Sequence, residues 1–386
     1  MAIRRVLGVT GIRSEYDIMS SVFRAIEAHS ELSLSLVVTG AHLSPGYGMT
    51  IEEIRKDGFV IEDQIESLIY GDKDSSRVKG LAIQLQGLVQ TIARTRPDIL
   101  LVLGDREESI STALAGAYMN IPVAHIAGGD RVVGNVDDQV RHAVTKLAHL
   151  HFVTNQESYD RVLKMGEQPF RVFNFGNPGL DRLLQMPWLT VSELSQRIGF
   201  ELNDGEPFII LIQHVISTEI DQAYHQMKVT LEAIEHLKIK TVLSYPNSDA
   251  GSQSMRRAIK EYEHLPHLYT AHNIPRLEFV NLMRHAGCML GNSSAGIMEA
   301  PLLKLPVVNI GNRQKGRLHA ENVQFVQHNV DEITSAVHKA LFDEDYKKLV
   351  ANCTNPYGNG KTSEAIANVL ASIPLDEKIC IKDLTY

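Results

Sequence analysis

Gly291-Asn292-Ser293-Ser294-Ala295-Gly296-Ile297-Met298-Glu299-Ala300 follows a short apolar run, Cys288-Met289-Leu290. It leads through Ile297 to Lys304 toward Pro306 and a second apolar run, Val307-Val308-Asn309-Ile310. In order, that reads as strand, tight polar loop, helix, strand. A helix opening on Asn and two Ser behind a buried strand leaves several backbone N–H groups unpaired, and its dipole adds roughly half a positive charge there. Such a start suits an anion, phosphate foremost; an ordinary N-cap by Ser293 or Ser294 accounts for the same residues. The balance is moved by Arg313-Gln314-Lys315-Gly316-Arg317, three cations just past the next strand. Adjacent strand ends in an open α/β sheet border one crevice.

The chain has 386 residues, 44% of them hydrophobic, enough for two or three domains with sizeable cores. Its net charge of -8 supplies no global basic field for nucleic acid or an acidic membrane, so an anion must be held locally. No apolar run approaches the ~20 residues of a membrane span, and the start, Met1-Ala2-Ile3-Arg4-Arg5, leads into a run too short for a signal-peptide core. A cytoplasmic protein is expected. Cys288, Cys353 and Cys380 are widely spaced without a metal or redox motif, and free thiols are expected.

Working outward, Val6 to Val9, Leu34 to Thr39, Ile99 to Leu103, Val123 to Ile126 and Leu150 to Val153 read as buried parallel strands. The stretches Ile18 to Ala28, Val78 to Arg94, Ser109 to Tyr118 and Asp137 to Leu147 carry helical periodicity between them. From Pro207 the rhythm restarts, with strands at Phe208 to Ile212, Thr241 to Tyr245, Cys288 to Leu290 and Val307 to Ile310. Polar residues from Pro187-Trp188 to Glu206 mark the break. The fold class expected is α/β, with two doubly wound, Rossmann-like domains facing a cleft: residues 1–186, residues 187–360, and a tail, 361–386, opening with a helix from Ser363.

Polar residues cluster where such sheets bind ligands, at the C-terminal ends of strands. Arg13 follows the first strand and His42 the second. After the third, Gly104-Asp105-Arg106-Glu107-Glu108 places three carboxylates and an arginine together; the helix dipole explains Glu107 and Glu108, while Asp105 sits earlier. After the fourth come His125-Ile126-Ala127-Gly128-Gly129-Asp130 and Asp137-Asp138-Gln139-Val140-Arg141-His142. Carboxylates gathered in one site push their pKa values apart, so one can act as acid and another as base. In the second half, His214 closes a strand as a proton-transfer or phosphate-contact candidate, and Asn247 lies in a polar strand end that suits a sugar. Glu299, one turn past Ser294, can accept two hydrogen bonds from a vicinal diol such as ribose.

Taken together, these segments resemble the hydrolysing UDP-N-acetylglucosamine 2-epimerases of sialic acid biosynthesis. The resemblance runs over nearly the whole chain, through Thr10-Gly11-Ile12-Arg13-Ser14-Glu15-Tyr16, Leu103-Gly104-Asp105-Arg106, Asp137-Asp138-Gln139-Val140-Arg141-His142, Gln213-His214, Gly291-Asn292-Ser293-Ser294 and Gly311-Asn312-Arg313-Gln314-Lys315-Gly316-Arg317. It implies a two-domain fold of the glycosyltransferase-B type, with UDP held mainly by the second domain. Ser293 and Ser294 would hold the diphosphate, Arg13 would reach across from the first domain, and Glu299 would bind the ribose. Asp105 and Asp137 would match acidic proton-transfer residues, His214 the catalytic histidine and Arg313 a further site residue. The chain departs from the pattern at Ala127, where many relatives carry Glu; the missing carboxylate's work would pass to Asp130 or a nearby Glu, or the substrate would differ.

The implied reaction eliminates UDP from C1 as a base removes the C2 proton, giving a glycal; water then adds with inverted configuration at C2, and N-acetylmannosamine and UDP leave. No Gly-x-Gly-x-x-Gly follows the first strand and no metal cage is visible, so neither cofactor nor metal is expected. The expected partners are a UDP-sugar and UDP, with neither nucleic acid nor membrane, and the resemblance implies a homodimer or homotetramer. Three alternatives stay open: a 2,4-diacetamido-trideoxyhexose nucleotide as substrate, a non-hydrolysing epimerase, and a UDP-sugar binding protein without catalysis. The Gly-Gly-Asp and Arg-Gln-Lys-Gly-Arg patterns look more like the hydrolysing branch than the non-hydrolysing one.

Overall fold

The computed structural model describes residues 3–69, 74–131, 136–216, 218–246 and 251–386. These residues form two compact units: one runs to Leu184 and takes in Tyr357–Tyr386, and the other is Gln185–Pro356. Each is a parallel α/β sandwich, of the doubly wound kind.

The first unit holds β1 (Arg4–Thr10), β2 (Leu32–Thr39), β3 (Ile61–Ile65), β4 (Ile99–Leu103), β5 (Val123–Ile126), β6 (Leu150–Val153) and β7 (Val172–Asn174). They form one sheet in the order β3-β2-β1-β4-β5-β6-β7. β4 is buried at every residue because helices cover both faces, which is why its sequence is an unbroken apolar run. The order reverses between β1 and β4, the point where such sheets open a ligand crevice.

The second unit holds β8 (Ile209–Ile212), β9 (Thr241–Ser244), β10 (Leu268–Ala271), β11 (Cys288–Gly291), β12 (Val307–Ile310) and β13 (Val323–Val326), in the order β10-β9-β8-β11-β12-β13. Its switch point lies between β8 and β11, where Gly291 pairs with Ile212. Four strands escape the sequence reading, β3, β7, β10 and β13, and they are the four sheet edges. Edge strands are half-solvated, and β3 reads Ile-Glu-Asp-Gln-Ile, so the apolar signal is absent. Cys288 and Cys353 are buried free thiols and Cys380 an exposed one. No helix among the described residues is long and apolar enough to cross a membrane.

The C-terminal residues are tied to the first unit by side chains from inside it. The Asp181 carboxylate accepts from the backbone N–H groups of Thr362 (3.2 Å) and Ser363 (2.6 Å), capping the helix Thr362–Ser372. Arg171, 1% exposed, donates to the carbonyls of Lys378, Ile379 and Ile381. Lys382 donates to the carbonyls of Thr145, Lys146 and Ala148 at the end of the helix Val136–Leu147, and pairs with Glu167 at 2.9 Å. Burial pushes the Lys382 ammonium down to about 8 although Glu167 opposes the shift. Lys382→Met leaves Glu167 and three carbonyls short of a donor and is expected to cost about 1–3 kcal/mol. The sign of its pH dependence follows from the lowered folded-state pKa: above pH 8 the unfolded chain binds more protons at this lysine, so its contribution to stability rises with pH until the unfolded lysine titrates. Urea denaturation of both proteins between pH 7 and 9.5 checks this; a difference that shrinks as pH rises would contradict it.

Candidate functional site

In the first unit the ends of β4 and β5 deliver the acids. Asp105 follows Gly104, whose carbonyl accepts from His125 Nε2 at 2.7 Å. Because a carbonyl can only accept, His125 carries its proton on Nε2, and burial holds the ring neutral, down to about 3. Asp105 receives a charge-assisted hydrogen bond from Arg141. Arg141 is 7% exposed, also donates to the Ala127 carbonyl at 2.8 Å, and stands 4.0 Å from Asp130. Burial raises the Asp105 carboxyl above its ordinary range and the Asp137 charge adds to the rise, while Arg141 opposes it.

Asp130 accepts from the Thr154 and Ser158 hydroxyls, both at 2.6 Å. Asp137 opens the helix Val136–Leu147 and lies 3.7 Å from Arg77, which also binds Glu107. His142 lies 3.8 Å from Asp138 on the same helix. The structure therefore gathers Asp105, Asp130, Asp137 and Arg141 about one set of strand ends. Ala127 sits among them with φ +61, its N–H donating to the Phe152 carbonyl at 2.9 Å.

His42 and Arg13 have partners inside the first unit, and the sequence reading passed over the buried pair Glu15 and Glu108. His42 is 0% exposed, with Nδ1 2.7 Å from the Thr50 hydroxyl and Nε2 3.1 Å from that of Thr10. Burial pushes it down to about 4, and its ring bridges the end of β1 to the start of the helix Ile51–Lys56. Arg13 is an exposed side chain 3.5 Å from Glu53. Glu108 is only 5% exposed and does not serve merely as a helix-start charge. Its carboxylate fills the space beside Gly11, where a Cβ would stand 1.8 Å from Oε1. Glu15, equally buried, accepts from the Gly11 N–H at 3.2 Å. Burial raises both carboxyls, and Glu108 raises Glu15 further by repulsion; Arg106, 3.6 Å from Glu108, opposes the rise on each. The signal available in the sequence was Gly11 itself, a residue without a side chain where a carboxylate crowds the backbone.

In the second unit β8 and β11 present His214 and Asn292. Asn292 is 1% exposed and is committed to the fold: its side chain accepts from the His214 N–H (2.7 Å) and donates to the His214 carbonyl (2.9 Å). Its own carbonyl accepts from Arg313 (3.1 Å) and Gln314 (2.9 Å). Asn292 thus positions His214 and Arg313, and both polar atoms of its side chain are engaged by His214. Ser293 caps the next helix by accepting from the Ala295 N–H at 3.3 Å. That helix stops at Met298 and gives way to a 3-10 turn, Ala300–Leu303, instead of running to Lys304. Pro301 is the cause, since it lacks an N–H and clashes with the preceding turn. With five residues the dipole is short, and what this turn offers an anion is local N–H groups, the Ser293 and Ser294 hydroxyls and nearby cations. Lys315 and Arg317 are exposed. Glu299 accepts from Arg276 at 2.7 Å, a partner the sequence did not suggest. Asn247 lies outside the described residues.

Among the described residues no three His, Cys, Asp or Glu side chains are grouped to hold a metal ion. A cavity of about 490 Å³ in the second unit is lined by Pro207, Gly287 and Pro306, which precede β8, β11 and β12. It lies at the N-terminal ends of these strands, the opposite ends from those that carry His214 and Asn292.

A family model described as UDP-N-acetylglucosamine 2-epimerase matches residues 24–371. A Legionella pneumophila protein named UDP-N,N'-diacetylbacillosamine 2-epimerase (hydrolyzing) is 36% identical over 384 residues, 100% of each chain. A Campylobacter jejuni protein named GDP/UDP-N,N'-diacetylbacillosamine 2-epimerase (hydrolyzing) is 31% identical over 353 residues, 90% of each. Among solved structures, the UDP-GlcNAc 2-epimerase of Neisseria meningitidis bound to UDP-GlcNAc superposes with a TM-score of 0.78 at 21% identity, covering 95% of this chain and 99% of that one.

Proposed function

Since the chain belongs to the UDP-N-acetylglucosamine 2-epimerase family, among relatives of the hydrolysing type, we propose that it converts a UDP-linked 2-acetamido sugar and water into the free 2-epimer and UDP. We further propose that the sugar is a 2,4-diacetamido-2,4,6-trideoxyhexose. The observation that carries this reading is Ala127. It stands beside Asp105 and Arg141 with a methyl group, where the resemblance expects Glu. One acid fewer and a smaller side chain suit a sugar whose C4 bears an acetamido group and whose C6 has lost its hydroxyl. The names of the two relatives, both acting on a diacetylated sugar, support the same assignment.

The chemistry follows from the groups present. A carboxylate base takes the weakly acidic C2 proton while the C1–O bond to UDP breaks, leaving a 2-acetamidoglycal. Water then gives its hydroxyl to C1 and a proton reaches C2 on the opposite face. Asp105, whose carboxyl burial raises, is the proposed base, with Asp137 as its proton-transfer counterpart. Asp130 is held by two hydroxyls and takes up the load that Ala127 leaves. Negative charge developing on UDP is met by Ser293, Ser294, His214 and Arg313, groups preorganised in part by Asn292.

A second reading, UDP-N-acetylglucosamine as substrate and N-acetylmannosamine as product, is favoured by the family model and by the sugar bound in the Neisseria structure. Proton NMR in deuterated water, with each nucleotide sugar supplied separately, decides between them. Free 2-epimer carrying deuterium at C2, appearing with UDP at least about tenfold faster from the diacetamido sugar, supports the first; faster release from UDP-N-acetylglucosamine supports the second. UDP-linked 2-epimer instead of free sugar would point to a non-hydrolysing enzyme, and tight UDP binding without turnover of either to a binding protein.

A further inference from the structure

Glu299 is the proposed ribose acceptor, yet its carboxylate is not free to turn. Arg276 donates to Glu299 Oε2 at 2.7 Å, with the two side chains 36% and 23% exposed. Arg276 opens the helix Arg276–His285, directly after Pro275, whose ring restricts the backbone entering that helix. The neighbouring acid Glu278 is held by Arg197 at 3.0 Å and does not draw Arg276 away. The guanidinium also lies 5.8 Å from the Phe279 ring, on its own helix. A residue fixed at a helix start thus grips one oxygen of the acid that the nucleoside is expected to meet.

We propose that Arg276 is a positioning residue for nucleoside recognition: by holding Glu299 Oε2 it orients Oε1 toward the vicinal diol of the ribose. This rests on the reading of Glu299 as part of a UDP site. A glutamate in water samples many rotamers, and binding a diol freezes them; a carboxylate already frozen by Arg276 loses less on binding. Arginine suits the task better than lysine because its rigid guanidinium loses less freedom per hydrogen bond formed, whereas an ammonium is a point charge on a flexible stem. An ion pair this exposed contributes little to folding, so removing it should register in ligand recognition and leave stability nearly unchanged.

Isothermal titration of UDP and of 2′-deoxy-UDP into wild type, Arg276→Met, Arg276→Lys and Glu299→Gln tests this without relying on turnover, with thermal melting as the check on folding. Wild type is expected to prefer UDP over the deoxy form by about tenfold or more, the worth of a hydrogen bond to a charged acceptor. Arg276→Met should lose most of that preference, chiefly by weakening UDP, with Arg276→Lys in between and Glu299→Gln matching or exceeding the loss. If Arg276→Met weakens both ligands equally, or keeps the preference for UDP, the positioning role is overturned. If wild type binds neither ligand, the UDP site itself is wrong and the role falls with it. If UDP binds but Glu299→Gln has no effect, only the ribose contact and its Arg276 support are refuted.

Discussion

Asp105→Asn is expected to reduce kcat by about 10²- to 10⁴-fold, the range for loss of a positioned acid or base. Asparagine keeps the shape and one acceptor toward Arg141 but cannot take a proton from C2. The expected pH profile is specific. A base must be ionised, and burial together with the Asp137 charge raises the Asp105 carboxyl while Arg141 pulls it down. The acid limb of kcat/KM should therefore lie above the ~4 of an ordinary carboxylate. Arg141→Gln removes the opposing cation and should move that limb to still higher pH, besides lowering the rate. UDP release followed from pH 4.5 to 8.5 reads both effects, with UDP titration to confirm that the variants still bind product. Asp105→Asn retaining more than about a tenth of wild-type kcat would remove Asp105 from the proton-transfer role.

Gly291→Ala carries the largest expected effect on stability. Gly291 has φ +120, a conformation L side chains rarely adopt, and an added Cβ would stand 2.0 Å from the Ile212 carbonyl oxygen. That oxygen belongs to the partner strand, fixed by its pairing with β11 and by the Asn292 N–H at 3.0 Å. No side chain can swing aside, so the strands must separate. Backbone strain plus a broken strand end is expected to cost about 3–5 kcal/mol. Separation also pulls Asn292 off His214, so UDP binding should fall even in protein that remains folded. Urea denaturation gives the first quantity and titration calorimetry at low temperature the second. A midpoint within error of wild type would mean that the β8–β11 junction is more compliant than its geometry implies.

The candidate site was partly legible in the chain. Asp105 and Asp130 follow consecutive strands and Asp137 and Arg141 lie on the next helix, and the structure brings them together because β4 and β5 are neighbours and that helix returns beside their ends. Glu107 and Glu108 were not separable by sequence. They are adjacent acids at one helix start, yet one binds Arg77 near the surface and the other is buried beside Gly11. One residue's rotation around the helix, about 100°, decides which faces inward. His42 looked like a strand-end ligand because its position is right, but two threonines take both its nitrogens.

By itself the sequence determined two parallel α/β units and the strand ends where chemistry would gather, because strands covered on both faces must be continuously apolar and loops at their ends need not be. It also marked Gly291 to Ser294 as a tight polar turn. Tertiary structure alone decided which side chains are available. Asn292 turns to His214, 78 positions earlier, and Glu299 to Arg276, 23 positions earlier. The edge strands β3, β7, β10 and β13 likewise emerged only from pairing. The physical reason is common to all of these: periodicity in a sequence reports burial, whereas the partner of a polar group depends on which strands and helices lie side by side.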